Sequence, residues 1–518
     1  MGENPIIRDK LNMSSTIIRT AALMAVFTFV SKLLGFVREM VIAGIFGTSY
    51  IVDAYVMAQS IPDMLFGGIF ASVGTAYMPT FSEITEKNGN KAGDLFTSRL
   101  INTAVVAAAL LSAVGIALSA NITRLIAPNF SAETMELTSF YLKITFGYMV
   151  FTCVSSIFDS YLRYNGSFLH PIIAGYMQNA GVIIMAVVSA YTNHYLFAFG
   201  ILLGYALRFL YQTAAVRKIG YRHSMSFSLK GEVKQILILA VPVFIGSYVS
   251  QINSYVDKTL ASGLSEGSVA ALNYGHILVA FITGLTTTII ATIIYPKITK
   301  AAINGEWDFF NAAADMGINL IMIIAVPFSM GAMVFAGEVV QIVYERGAFD
   351  ESATALTGTA FFFYACGLAF MALNEFLVQI YYSLKDMKTP IKCASVGVAV
   401  NIVLNLSLVG KMAHGGLALA TSIAALVNFA LLLVFLARKH REVAILKSKS
   451  KVLKICVAAA AAVAAAYGTH CFISAAVFMP RILYLGIAVL AACVIYILLL
   501  AVFKIDELKL IKGLISRK

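Results

Sequence analysis

The sequence predicts an all-α membrane protein with about fourteen transmembrane helices. Three observations carry this. The 518 residues are 60% hydrophobic and only 12% charged, where soluble proteins carry roughly 25% charged residues. Mean hydropathy is +0.85. The apolar runs exceed twenty residues without alternating. In lipid the backbone N–H and C=O groups must be satisfied internally, which leaves helices or closed barrels, and unalternating runs of this length are helices.

Taken in order, the predicted spans are 17–45, 51–83, 94–120, 134–162, 170–191, 194–216, 233–262, 266–296, 308–336, 353–384, 389–410, 413–437, 451–476 and 481–503. The first apolar run is long and lacks a small-residue cleavage site, so it reads as a span and not as a leader. Cys153, Cys366, Cys393, Cys456, Cys471 and Cys493 show no metal-ligand spacing and are expected as buried small hydrophobes.

Charge placement tests the topology. With the N-terminus inside, Arg124, Arg346, Lys411 and Arg481 are the external basic residues, and Lys32, Arg38, Lys143, Arg208 and Lys258 lie at membrane depth. The other 29 of the 38 Lys and Arg fall in or beside cytoplasmic segments. That is the positive-inside pattern, with both termini cytoplasmic. The net charge of +12 is then topology plus attraction to anionic lipid, and no nucleic-acid partner is expected.

The first two spans echo spans seven and eight. Arg38-Glu39-Met40-Val41-Ile42-Ala43 aligns with Val256-Asp257-Lys258-Thr259-Leu260-Ala261. The paired segments close alike, in Tyr77-Met78-Pro79 and Ile294-Tyr295-Pro296. Six helices separate the repeats, so the halves run parallel, an arrangement that suits a transporter with its substrate path between two lobes. The division is 1–216 for an N-terminal lobe, 217–437 for a C-terminal lobe, and 438–518 for spans thirteen and fourteen with a basic tail. The Ala-rich run from Cys456 to Tyr467 allows either close helix packing or a smooth groove wall.

A charge at mid-membrane costs about 2.5–3.5 kcal/mol on insertion scales, so each needs a reason. For Asp63, Lys143, Arg208 and Asp315, snorkelling to an interface competes with a polar contact inside the bundle. Arg38 and Glu39 lie deep in span one, and adjacent helical positions diverge by about 100°. One neighbour does not easily satisfy both, so one of them is expected to face a polar cavity, with an ion pair to a neighbouring helix as the alternative. Arginine suits phosphate, because its planar guanidinium donates bidentate hydrogen bonds and stays charged. Asp257, Asn401, Asn405 and Thr421 offer hard oxygen ligands suited to Na⁺, with interhelical hydrogen bonding as the alternative. No GxSxG, GxxxxGK[ST] or HExxH occurs and the cytoplasmic loops are short, so neither an enzyme nor an ATP-driven pump is expected.

Several segments together resemble one family. They are Ser31-Lys-Leu-Leu-Gly-Phe-Val-Arg-Glu-Met-Val-Ile-Ala43 with Asp53-Ala54-Tyr55, Gly267-Ser-Val-Ala-Ala-Leu-Asn-Tyr274, and Tyr344-Glu-Arg-Gly-Ala-Phe-Asp350. Further on come Tyr382-Ser-Leu-Lys-Asp-Met-Lys-Thr-Pro390, Asn401-Ile-Val-Leu-Asn405 and Gly416-Leu-Ala-Leu-Ala-Thr-Ser422. In this order they are similar to the MurJ (MviN) family, the lipid II flippases of the multidrug/oligosaccharidyl-lipid/polysaccharide exporter superfamily. The resemblance implies a two-lobed, fourteen-helix fold, alternating access, and an undecaprenyl-pyrophosphate-linked disaccharide peptide as substrate. The protein would act as a monomer in the bacterial cell membrane.

The resemblance also implies that Arg38, Glu39 and Asp53 serve the substrate. Asp257, Asn401, Asn405 and Thr421, with the carbonyl of Leu417, would hold a coupling Na⁺, and no other cofactor is implied. The chain departs from the family where Ser60 and Ile277 replace cavity arginines and where Glu375 replaces a lysine. Lys32, Lys258 or His276 would compensate, with neutralisation of Asp257 as the alternative role for Lys258. A flippase for a teichoic or capsular precursor is the alternative, and a cation-coupled drug exporter is a more distant one.

Overall fold

The computed structural model describes residues 5–228, 231, 234, 236, 251–289, 294–445, 449–476, 480–505 and 507. No strand occurs among them. In chain order the helices are α1 (Pro5–Phe46), α2 (Tyr50–Pro62), α3 (Gly68–Asn88), α4 (Asn90–Ala117), α5 (Ser119–Ile126), α6 (Ala132–Tyr164), α7 (Leu169–Tyr191) and α8 (Phe199–Lys218). After α9 (251–261) come α10 (Ser268–Ile289), α11 (Tyr295–Asn304), α12 (Trp307–Val334), α13 (Ala336–Tyr344), α14 (Glu351–Ser383), α15 (Lys388–Lys439), α16 (Lys449–Ala476) and α17 (Arg481–Val502).

Ten helices among the described residues are long and apolar enough to cross a membrane. One of them, α15, contains both 389–410 and 413–437. They meet at Ala413, whose φ of 47° and ψ of −135° leave the helical region. With α15 taken as two spans, and the first two spans lying in α1 and in α2–α3, thirteen of the fourteen predicted spans are accounted for. The seventh, 233–262, falls mostly outside the described residues. Long apolar side chains face outward, as on α17 at Leu490, Leu498 and Val502, because lipid and not water is the surrounding solvent.

Packing divides the chain into two units, residues 1–46 with 50–251, and 47–49 with 252–518. Two segments of the family resemblance meet in the second. Tyr274, Tyr344 and Phe349 form an aromatic cluster with ring centroids 5.1–5.7 Å apart. The Tyr274 hydroxyl donates to Gly47 O at 3.2 Å. Gly47 has a φ of +60°, and a Cβ there would sit 2.4 Å from Ala348 O, so only glycine fits.

The Ala-rich stretch of α16 buries Ala458, Ala459, Ala462 and Ala466, and Ala466 joins Phe335, Leu485 and Ala488 in one cluster. That face packs closely, while Ala460, Ala461 and Ala464 on the other face are exposed. All six cysteines are free, yet Cys471 and Cys493 are exposed. The expectation of uniform burial was wrong for these two, since a thiol facing lipid gives up little.

Candidate functional site

The polar residues at membrane depth gather in two centres, one inside each unit. In unit 1 the Arg38 guanidinium reaches along its own helix. Its Nε donates to Glu39 Oε1 at 3.0 Å and its Nη2 to the same oxygen at 2.5 Å. Its Nη1 donates to Asn179 Oδ1 on α7 at 3.1 Å, and Asn179 is oriented by donating Nδ2 to Gly175 O at 3.0 Å. The ion pair thus forms within α1, where the sequence had offered one to a neighbouring helix. The long arginine stem crosses the 100° between them, and a neighbouring helix adds an amide. Arg38 keeps 21% of its side-chain exposure and Glu39 keeps 9%.

The other sequence candidates of unit 1 lie on the same helices. Asp53 is buried in the first turn of α2. Ser60 donates to Val56 O at 2.5 Å, back-bonded to its own turn. Lys32 lies two turns before Arg38 on α1 and is half-buried.

Of the four residues with competing readings, two in unit 1 turn inward. Asp63 Oδ1 accepts from the Tyr148 hydroxyl at 2.7 Å. Arg208 on α8 pairs with Asp159 at 2.6 Å, which sequence reading did not connect. The α7–α8 approach behind that pair is close. A Cβ on Gly204 would lie 2.4 Å from Gln178 O, and one on Gly181 would lie 2.5 Å from Gly204 Cα. Small residues at such a crossing let polar side chains meet across it.

The centre of unit 2 differs in chemistry. Asn401 and Asn405 are fully buried and Asp257 is 6% exposed. Asn405 Nδ2 donates to Asp257 Oδ1 at 2.5 Å and to Asn401 Oδ1 at 2.7 Å. The Thr421 hydroxyl lies 3.0 Å from Asp257 Oδ2 and 3.1 Å from Leu417 O. All five residues predicted for a cation therefore converge.

Sequence reading missed a sixth, Asn253, one turn before Asp257 on α9, although its i, i+4 spacing was visible. The Asn401 amide can be placed two ways. With nitrogen inward it donates to Asn253 Oδ1 at 2.7 Å and Asp257 Oδ1 at 3.1 Å. With oxygen inward, the Asn401 Oδ1 stands at those separations from the other two oxygens and accepts from Asn405 Nδ2 at 2.7 Å. Asn405 Oδ1 is also buried without a donor. Among the described residues His276 makes no hydrogen bond to this group, and on α10 its ring stands edge-on to Tyr364 with centroids 5.7 Å apart.

Two units of long helices, one carrying a guanidinium–carboxylate centre and the other an oxygen-rich pocket, define a polytopic transport protein. The family described as "Lipid II flippase MurJ" matches residues 42–485, and the chain belongs to that family. It is 30% identical to the probable lipid II flippase MurJ of Vibrio cholerae over 443 residues, covering 82% of this chain and 83% of the relative. It is 28% identical to the lipid II flippase MurJ of Burkholderia cenocepacia, covering 80% and 83%.

Among solved structures, a lipid II flippase MurJ in an inward closed conformation superposes with a TM-score of 0.82 at 25% identity, covering 94% of this chain and 100% of the other. An inward-facing multidrug resistance MATE transporter at 13% identity and TM-score 0.64, covering 80% and 98%, shares the fold alone.

Proposed function

We propose that this chain is a flippase that carries lipid II, an undecaprenyl-pyrophosphate-linked disaccharide peptide, from the inner to the outer leaflet by alternating access. The observation that carries the reading is Arg38, a guanidinium at membrane depth in a chain of this family, paired with Glu39 and Asn179 but still 21% exposed. A pyrophosphate is too polar to cross lipid unaided. Arg38 offers it two-pronged, charge-assisted hydrogen bonds in exchange for those it makes to Glu39. Glu39 takes the guanidinium back when the anion leaves, so no lone charge remains at membrane depth. The chain performs no bond chemistry. It acts as a monomer in the bacterial cell membrane, with both termini on the cytoplasmic side, as the distribution of Lys and Arg supports.

The pocket of unit 2 fits Na⁺. Its donors are hard oxygens from Asp257, Asn401, Asn405, Thr421 and Leu417, joined by Asn253. Sodium bound there supplies a positive charge beside Asp257. The chain's own part is the turn of the Asn401 amide, oxygen inward with the cation and nitrogen inward without it.

Rescue of a strain depleted of its lipid II flippase tests the function. The unaltered chain restores growth and outer-leaflet exposure of lipid II, whereas Arg38→Ala, expressed to the same level, restores neither. Failure of the unaltered chain to restore exposure, or full rescue by Arg38→Ala, overturns the reading.

A further inference from the structure

Unit 1 holds a second guanidinium that the mechanism above leaves unused. Arg208 is in the middle of α8, which runs from Phe199 to Lys218. Its Nη2 donates to Asp159 Oδ2 at 2.6 Å and its Nη1 to Gln178 Oε1 at 2.8 Å. Asp159 Oδ1 in turn accepts from Gln212 Nε2 at 2.5 Å. The network does not close. Arg208 Nε is buried without an acceptor and Gln212 Oε1 without a donor. The Nε–Nη2 edge is the one that grips a carboxylate or phosphate with two parallel bonds, and here it is half used.

Two further facts set this pair apart from an ordinary structural ion pair. Arg208 and Asp159 keep 22% and 17% of their side-chain exposure, close to the value for Arg38. Charge left exposed at mid-span is tolerated where it meets a water-filled surface and not hydrocarbon. The acceptors for the two arginines are also neighbours, since Gln178 holds Arg208 and Asn179 holds Arg38. A single turn of α7 thus seats both guanidiniums, each balanced by its own carboxylate.

We propose that Arg208 is a second phosphate-binding arginine, and that the pyrophosphate of the carried lipid engages Arg208 as well as Arg38 on its way through unit 1. Asp159 and Gln178 are positioning residues that hold the guanidinium when no anion is present. The proposal rests on the flippase reading and extends it to a residue that sequence alone could not separate from a snorkelling cation.

The test uses the full chain in nanodiscs of zwitterionic lipid, with lipid II as the probe and undecaprenyl monophosphate as the comparison. The combined variant Arg208→Gln/Asp159→Asn keeps a polar amide at each position but removes both charges. The expected result is an unchanged melting temperature with lipid II binding weakened roughly tenfold or more, the weight of one charge-assisted contact. Asp159→Asn alone is expected to bind lipid II several-fold more tightly, because the guanidinium loses its competing carboxylate. A role confined to structure gives no such gain.

Binding of the combined variant equal to that of the unaltered chain overturns the proposal, and if Arg38→Gln loses binding in the same assay the flippase reading stands without it. Should the combined variant not fold, Asp159→Asn decides, with unchanged or weaker binding overturning the proposal. Absence of lipid II binding by the unaltered chain overturns the flippase reading and the role of Arg208 together.

Discussion

The two units solve the cost of membrane-buried polarity in opposite ways. Unit 1 brings opposite charges together. Arg38 meets Glu39 and Arg208 meets Asp159 at 2.5–2.6 Å, and the two arginines remain about one-fifth exposed. Unit 2 surrounds one carboxylate, Asp257, with amides and a hydroxyl, and buries it almost completely. A guanidinium already on a carboxylate is a resting pair for which an incoming anion can compete. A carboxylate among amide oxygens is a cage for a cation. On the reading proposed above, the two centres would serve different passengers, the anionic headgroup in unit 1 and a coupling ion in unit 2.

The largest effect expected from breaking this contrast is in unit 1. Glu39→Gln leaves Arg38 with only neutral partners, and removing one member of a buried pair costs about 3 kcal/mol, with partial exposure lowering that toward 2. Thermal unfolding of the purified protein reads the loss. Because the pair needs no bound ion, the loss should be equal in sodium and in potassium buffers. A loss that vanished in one of them would show that unit 1 is linked to a cation after all.

Asp257→Asn should behave in the reverse manner. In sodium-free buffer it removes a buried charge whose hydrogen-bond partners are neutral, so stability should change little. The unaltered chain should gain about 2–3 kcal/mol once sodium exceeds its dissociation constant a hundredfold, and the variant should gain nothing. A sodium-dependent rise in melting temperature that survived Asp257→Asn would remove the cation from this pocket.

How much of this was legible in the sequence depended on the range over which residues interact. The helical class and the spans follow from long apolar runs, which act locally. The pocket of unit 2 was partly legible, because Asn401 and Asn405 share a face one turn apart, Asp257 and Thr421 offered further hard oxygens, and the resemblance added Leu417. Asn253 carried the same one-turn signal and was overlooked. The Arg208–Asp159 pair was illegible, since its members are 49 residues apart and no local rule separates pairing from snorkelling. For Arg38 and Glu39 the sequence reading did not weigh a pair between the two themselves. Cα–Cβ vectors diverge by about 100°, but the reach of an arginine stem exceeds that gap.

Unit 2 does use charge pairing, but at the end of a helix and not in its core, and this gives the smallest expected effect. Asp386, between α14 and α15, accepts from Lys439 Nζ at 2.7 Å and from Thr389 Oγ1 at 2.6 Å, with His440 Nε2 at 3.4 Å. It also accepts from the Thr389 backbone N–H at 3.2 Å, so one carboxylate ties the start of α15 to its end. Burial by itself would raise the Asp386 carboxyl, but the bonds from Lys439, Thr389 and His440 hold it well below the usual aspartate range. Its folded-state pKa thus lies below that of the unfolded chain. The stabilisation is complete above the ordinary value of about 3.9 and fades as pH falls through and below it. Asp386→Asn should therefore cost about 1–2 kcal/mol near neutral pH, where the Lys439 ammonium is half-solvated and screened. The difference from the unaltered chain should shrink as unfolding is followed toward pH 3. A gap that stayed constant across that range would mean that Asp386 acts through its hydrogen bonds alone.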